Sequence, residues 1–257
     1  MLEAFSAQLP VVHDLWFYAV VVPAVLRTGL AQSGFASGFG SLATPLIAIA
    51  VPVPQAAAIM LPLLLVMDGT GLRHLWRVRD RALVRALLPW GLLGTLIGTL
   101  LFGLLPRAAV SGLVGALTLA FLAQRLLFPP RAGAVPAPAW VGSVCATASG
   151  FTSFVAHAGG PPISAYMLPK KLPPAVLAGT MAVFFAVLNL SKWLPYAWLG
   201  LIEVRNFTTS LLLMPLAPLG VWVGVHLVRR VSPQGFYRIA YTGMLLTGLK
   251  LLWDGIK

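Results

Sequence analysis

Apolar stretches long enough to cross a bilayer follow one another along this chain with few polar gaps. That succession limits the fold more than any other feature. A hydrocarbon core of about 30 Å needs roughly 20 apolar residues in helical form. Such stretches read at about 14–33, 34–51, 55–72, 84–104, 108–128, 139–156, 174–199, 206–228 and 235–253. A further piece, 161–168, reaches only about 12 Å as a helix. It must stop inside the membrane or continue its predecessor after a break. The 257 residues are 59% apolar and 9% charged, whereas soluble domains carry about 25% charged residues. So few charges cannot cover a water-facing surface. The expected fold is therefore all-α, a polytopic integral membrane protein with about eight transmembrane helices, two of them interrupted or re-entrant. A disordered chain, a coiled coil and a disulfide scaffold are excluded, the last because Cys145 is the lone cysteine.

The chain carries an internal duplication. Gly34-Phe35-Ala36-Ser37 returns as Gly150-Phe151-Thr152-Ser153, and Pro45 returns as Pro161, both at an offset of 116. Gly94-x-x-x-Gly98 followed by Pro106 returns as Gly220-x-x-x-Gly224 followed by Pro233, at offsets of 126 and 127. Two related repeats are expected, residues 1–138 with the connecting loop and residues 139–257. Interrupted apolar segments at corresponding places in two halves point to a transporter's binding site.

The net charge of +12 would suggest nucleic acid in a soluble chain. Here the basic residues sit in short gaps between apolar stretches, so no nucleic-acid partner is expected, and contact with anionic membrane lipid is. If each half holds a re-entrant piece, the copies run in opposite directions. Arg73, Arg77, Arg79, Arg81, Arg85, Arg125, Arg131, Lys170, Lys171, Arg229 and Arg230 then share one side, leaving Arg107 and Arg205 on the other. Parallel copies spread the charges over both sides. The positive-inside rule favours inverted repeats. Met1 to Asp14 has acids and no basic stretch, so it does not read as a cleavable signal peptide.

Chemistry concentrates at the two interruptions, Gly38-Phe39-Gly40-Ser41-Leu42-Ala43-Thr44-Pro45 and His157-Ala158-Gly159-Gly160-Pro161-Pro162. Glycine lets a helix end and proline suits the first turn of the next. A helix start carries partial positive charge and suits an anion. Small residues that let helices pack closely are the structural alternative. Gly40, Ser41, Thr44, Pro45, Gly159, Gly160 and Pro161 are the backbone candidates for substrate binding.

Polar side chains within the apolar stretches add to these. Asn189 and Lys192 are three apart and share a helix face, giving a cation and an amide for an anionic substrate. Lys192 could instead snorkel to an interface marked by Trp193, Tyr196 and Trp198. Asp68 reads either as a coupling group or as an interfacial partner of Arg73. His157 is the other candidate for coupling to protons. Tyr166 and Thr180 are weaker substrate contacts, and His13 and His226 receive no role. No metal motif or P-loop occurs, and no cofactor is expected. Phe35-Ala36-Ser37-Gly38 comes near an intramembrane serine-protease motif, so a Ser37–His157 hydrolase is the enzymatic alternative. A non-transporting membrane subunit is another, and homo-oligomerisation stays open.

The paired motifs Gly38-x-Gly40-Ser41-x-x-x-Pro45 and Gly159-Gly160-Pro161-Pro162, together with the two Gly-x-x-x-Gly blocks, resemble the sulfite exporter TauE/SafE family of membrane permeases. So do His157 to Pro162, Tyr166, Leu168-Pro169, Thr180, Phe184-Phe185, Asn189, Lys192, Tyr196 and Gly200. The resemblance runs from about residue 16 to 253. It implies a non-enzymatic, duplicated helical permease that moves sulfite or organosulfonate-type anions across the bacterial inner membrane. Ser41 stands where many members have a third glycine, and because members differ in substrate the resemblance implies a small sulfur-containing anion rather than sulfite in particular.

Overall fold

The computed structural model describes residues 11–12, 14–30, 43–127, 137–170, 172–220 and 233–257. All regular structure among them is helical: α1 (Leu15–Leu30), α2 (Ala43–Ile47), α3 (Val53–Leu75), α4 (Arg81–Leu104), α5 (Arg107–Leu127), α6 (Ala139–Ala156), α7 (Gly160–Met167), α8 (Pro174–Ser191), α9 (Trp193–Trp198), α10 (Val204–Leu213) and α11 (Pro233–Ile256). Four spans are long and apolar enough to cross a membrane: Val53–Arg73, Arg81–Leu104, Ala139–Ala156 and Ala175–Trp198. Shorter apolar helices add to them at Leu15–Leu26 and Ala108–Ala120.

Local chemistry sets the helix ends. Prolines occupy the first turns of α3 and α8, where their missing N–H costs nothing. Asp80 caps α4, its carboxylate accepting from Leu83 N at 3.0 Å. The backbone of Asp80 is itself held by Thr180, whose hydroxyl accepts from Asp80 N at 2.9 Å. The stretch expected as one span at 174–199 is two helices joined at Lys192, which keeps right-handed helical angles. The stretch expected at 206–228 ends its first helix at Leu213, turns at Met214–Pro215 and is helical again over 216–220. Pro215 lacks the N–H that would continue the ladder.

The helices are arranged with large apolar side chains outward. On α4, Leu93, Leu96, Leu100 and Leu104 are exposed, while Gly91, Gly94, Thr95, Gly98 and Phe102 are buried. A soluble helix has the opposite distribution. Greasy exteriors and interiors of small or polar residues are what lipid-facing helices need. The protein is a multi-pass helical membrane protein.

Glycine seams fix its packing. A Cβ on Gly94 would run into Thr147 O, and one on Gly150 into Gly91 O, so α4 and α6 touch backbone to backbone. Similarly, Gly112, Gly115, Gly248 and Gly255 bring α5 against α11. A Cβ on Gly220 would lie 2.9 Å from Leu26 O, against α1. Helix α3 packs on α8, and each short helix lies on its predecessor, α2 on α1 and α7 on α6.

Candidate functional site

The second interruption is built by α6 ending early. Its cap, His157, has φ 51° and ψ 31°, the left-handed region. Among the described residues it is the one non-glycine with positive φ. Such a position costs a side-chain-bearing residue of order 1–2 kcal/mol. The following loop is laced back onto α6. His157 N and Ala158 N donate to Ser153 O and Thr152 O. The hydroxyls of Ser149 and Thr152 donate to Gly159 O at 2.6 Å and Ala158 O at 3.0 Å. A broken helix in hydrocarbon must satisfy its own carbonyls, and these hydroxyls do so. Gly159 is required by closeness, since a Cβ there would lie 2.7 Å from Ser149 O.

Helix α7 then starts at Gly160 and runs eight residues, as the short apolar piece led one to expect. Pro161 and Pro162 carry no N–H, so the first turn presents N–H groups only at Gly160 and Ile163. The partial positive charge of a helix start remains, with fewer donors than an ordinary start supplies.

The break faces a buried polar cluster. Lys192 is 0% exposed, which rules out the snorkelling alternative. Its Nζ donates to Ser153 Oγ and Asn189 Oδ1, both at 2.8 Å, and lies 3.2 Å from His157 Nδ1. Asn189 donates from Nδ2 to Asp68 Oδ2 at 2.7 Å. The amide thus bridges a cation and a carboxylate, its carbonyl toward one and its N–H toward the other. Asp68 and Asn189 are both 4% exposed and Ser153 2%. Asp68 is therefore an interior residue joined to Asn189, whereas Arg73 is exposed; the interfacial Asp68–Arg73 pairing is corrected. His157 Nε2 lies 3.0 Å from Ala57 O. That leaves both ring nitrogens engaged, by Ala57 and Lys192, with neither left to activate a serine. The hydrolase alternative finds no support in this arrangement, and Ser37 lies outside the described residues.

Tyr196, expected as an interface marker, is buried. Its hydroxyl donates to Phe154 O at 2.7 Å and its ring stacks edge-on to Phe154 at 5.1 Å. The tyrosine thereby clamps the last turn of α6 beside Lys192. Trp198, two residues on, is exposed as an interfacial residue should be.

Of the other candidates, Gly40 and Ser41 lie outside the described residues. Thr44 and Pro45 are buried in α2. Among the described residues Thr44 Oγ1 has no hydrogen-bond partner, and an unpaired buried hydroxyl costs about 1–3 kcal/mol. Thr180 anchors the loop before α4 and donates to Val176 O. Tyr166 stacks under Lys170, with Nζ 4.4 Å from the ring centre. No group of three or more metal-ligating side chains occurs among the described residues.

The sulfite exporter TauE/SafE family model matches residues 21–251. The chain belongs to the TauE/SafE family. No curated protein and no solved structure matches it. TauE/SafE proteins are membrane permeases and exporters, and a buried cation held by neutral hydrogen-bonding groups suits a TauE/SafE permease's small anionic cargo. Within this member of the family, Ser153 is the residue of the buried Lys192 cluster that inspection of polar side chains missed. The signal for it was present, because Ser153 is the serine of the duplicated Gly-Phe-x-Ser block.

Proposed function

We propose that this TauE/SafE protein is a secondary transporter that carries a small sulfur-containing anion, sulfite or an organosulfonate, across the bacterial inner membrane. Lys192 and Asn189 hold the anion, and the backbone at Gly159, Gly160 and Pro161 completes the site from the second break. Gly40, Ser41, Thr44 and Pro45 of the first interruption are assigned to the same anion because the motif is repeated in sequence. The observation that carries this reading is the wholly buried Lys192 ammonium beside the broken helix. Intramembrane charge is costly and is retained where a substrate path needs it. One ammonium with an amide and a hydroxyl matches a small oxoanion, whose several oxygens each accept a hydrogen bond.

Two inverted repeats of about four spans each complete the proposal. Reciprocal packing supports it. The Gly91–Gly94 segment of α4 meets α6 at Gly150, while Gly220, the counterpart of Gly94, meets α1 at Leu26. Each half's Gly-x-x-x-Gly helix thus lies against the other half's first helix, and α3 pairs with α8 as α5 pairs with α11. Alternating access then consists of the halves rocking about the two breaks.

Counterflow in proteoliposomes with sulfite, sulfoacetate and taurine tests the reading. Saturable exchange of at least one of these anions is expected. Absence of exchange for all of them overturns it.

A further inference from the structure

The hydrogen-bond roles around Lys192 are fixed by chemistry. Ala57 O can only accept, so His157 carries its hydrogen on Nε2 and, as a neutral ring, turns the Nδ1 lone pair toward Lys192 Nζ. The ammonium has three N–H groups and meets three acceptors: Ser153 Oγ, Asn189 Oδ1 and His157 Nδ1. An anion reaching Lys192 must therefore take the place of one of them. Ser153 and Asn189 remain acceptors in any protonation state. His157 Nδ1 alone ceases to be one when it takes a proton, and it then becomes a donor.

Charge balance leads to the same group. Asp68 and Lys192 compensate one another through Asn189, with His157 neutral in this hydrogen-bond pattern. A monoanion added to that set leaves an unbalanced buried negative charge, which is strongly unfavourable. A proton on His157 Nδ1 restores neutrality, breaks the contact with Lys192, frees one ammonium N–H, and adds a ring N–H pointing at the same space. Among the described residues, the titratable and charged groups facing the ring are Lys192 from the α8–α9 junction and Tyr196 from α9. Asp68 of α3 stands one amide further away. The Tyr196 ring centre is 6.2 Å away and its hydroxyl is spent on Phe154 O. Within the cluster Lys192, Asn189, Asp68 and Ser153 are buried, whereas His157 keeps partial exposure. The ring is also held at a left-handed position that glycine would occupy at lower cost. Its side chain is what the position retains.

We infer that His157 Nδ1 takes up one proton with each anion bound at Lys192 and gives it up when the anion leaves, so that anion and proton cross together. The inference rests on the anion site proposed above. Nothing is oxidised or reduced; the proton comes from the aqueous phase on the binding side and is returned on the release side.

The test uses the full chain in proteoliposomes containing a pH-reporting dye, with the membrane potential clamped and an inward gradient of sulfite or of methanesulfonate. Methanesulfonate stays ionised throughout. Sulfite's own titration cancels when wild type and variant are compared with the same anion. Wild type is expected to acidify the lumen by about one proton equivalent per anion. In His157→Gln and His157→Asn the proton-to-anion ratio of whatever flux remains is expected to fall at least about tenfold. A second measurement, calorimetry of anion binding to the wild-type chain in buffers of different ionisation enthalpy, reads proton uptake without any variant. Anion flux or binding in wild type with no proton uptake overturns the coupling while leaving the transport reading intact, as does an unchanged ratio in both variants. Absence of any anion flux overturns the transport reading, and the coupling with it.

Discussion

Asn189 donates its amide N–H to the Asp68 carboxylate at 2.7 Å across 121 positions of sequence. The bond ties α3 to α8 in the buried interior, where both residues are 4% exposed. Through it a carboxylate acts on Lys192 without touching it.

Replacing Asp68 with Asn therefore leaves the Lys192 charge buried without compensation. A loss of about 3 kcal/mol of stability is expected, seen as a lower melting temperature of the detergent-solubilised protein. Added sulfite supplies the missing negative charge, so it should raise the melting temperature of Asp68→Asn more than that of wild type. Equal shifts in the two proteins would remove the balancing role given to Asp68.

Lys192→Ala and Asn189→Ala each remove a group assigned to the anion. Loss of one charged or amide hydrogen bond in a dry site corresponds to about 1.5–3 kcal/mol, a ten- to hundredfold weaker affinity. Counterflow at graded sulfite concentrations reads this as a raised half-saturation with protein still present in the membrane. Normal half-saturation in both variants would place the substrate elsewhere.

Gly94→Ala and Gly150→Ala put a methyl group into the facing backbone of the α4–α6 seam. Overpacking of this kind costs about 1–3 kcal/mol or more, so both variants should lose folded yield in size-exclusion profiles after heating. Gly71→Ala is the contrasting case, because nothing lies within 4 Å of its added Cβ. It gains helix propensity, about 1 kcal/mol, and should be at least as heat-resistant as wild type.

His157→Ala and His157→Gly lose the same ring. They differ in the backbone, because at φ 51° only glycine is unstrained. The alanine variant should be the less stable by about 1 kcal/mol, measurable as a difference between their thermal midpoints. Equal midpoints would show that the loop relaxes out of the left-handed region once the imidazole is gone.

Helix existence was legible in the sequence because bilayer thickness dictates length, and α6 begins and ends where its apolar run does, at Ala139 and Ala156. The pairing of Asn189 with Lys192 was legible for the same geometric reason, three residues on one helix face. Burial of Lys192 was not, since aromatic neighbours mark an interface whichever way the lysine points. Tyr196 and Trp198 illustrate this, one buried and one exposed within the same short helix α9. The break at Met214–Pro215 also escaped, because a single proline inside an apolar run is tolerated as often as it interrupts, as Pro62 and Pro89 show inside α3 and α4. Partners such as Ala57 O and Ser153 Oγ depend on tertiary contacts that periodicity does not encode. Ser41 and Gly40, the clearest residues of the first motif, lie outside the described residues.

The saturation of Lys192 has a consequence for electrical insulation. A bare ammonium in a membrane pathway would attract chloride, the commonest small anion, and short-circuit the anion gradient. Here each N–H already has an acceptor supplied by the protein. A halide offers a single centre and must displace a bond to gain one. A several-oxygen anion can engage the ammonium and the groups around it at more than one point, so it recovers more than a halide does. On the proposed transport reading, the site's own hydrogen bonds close it to single-centre anions while it rests.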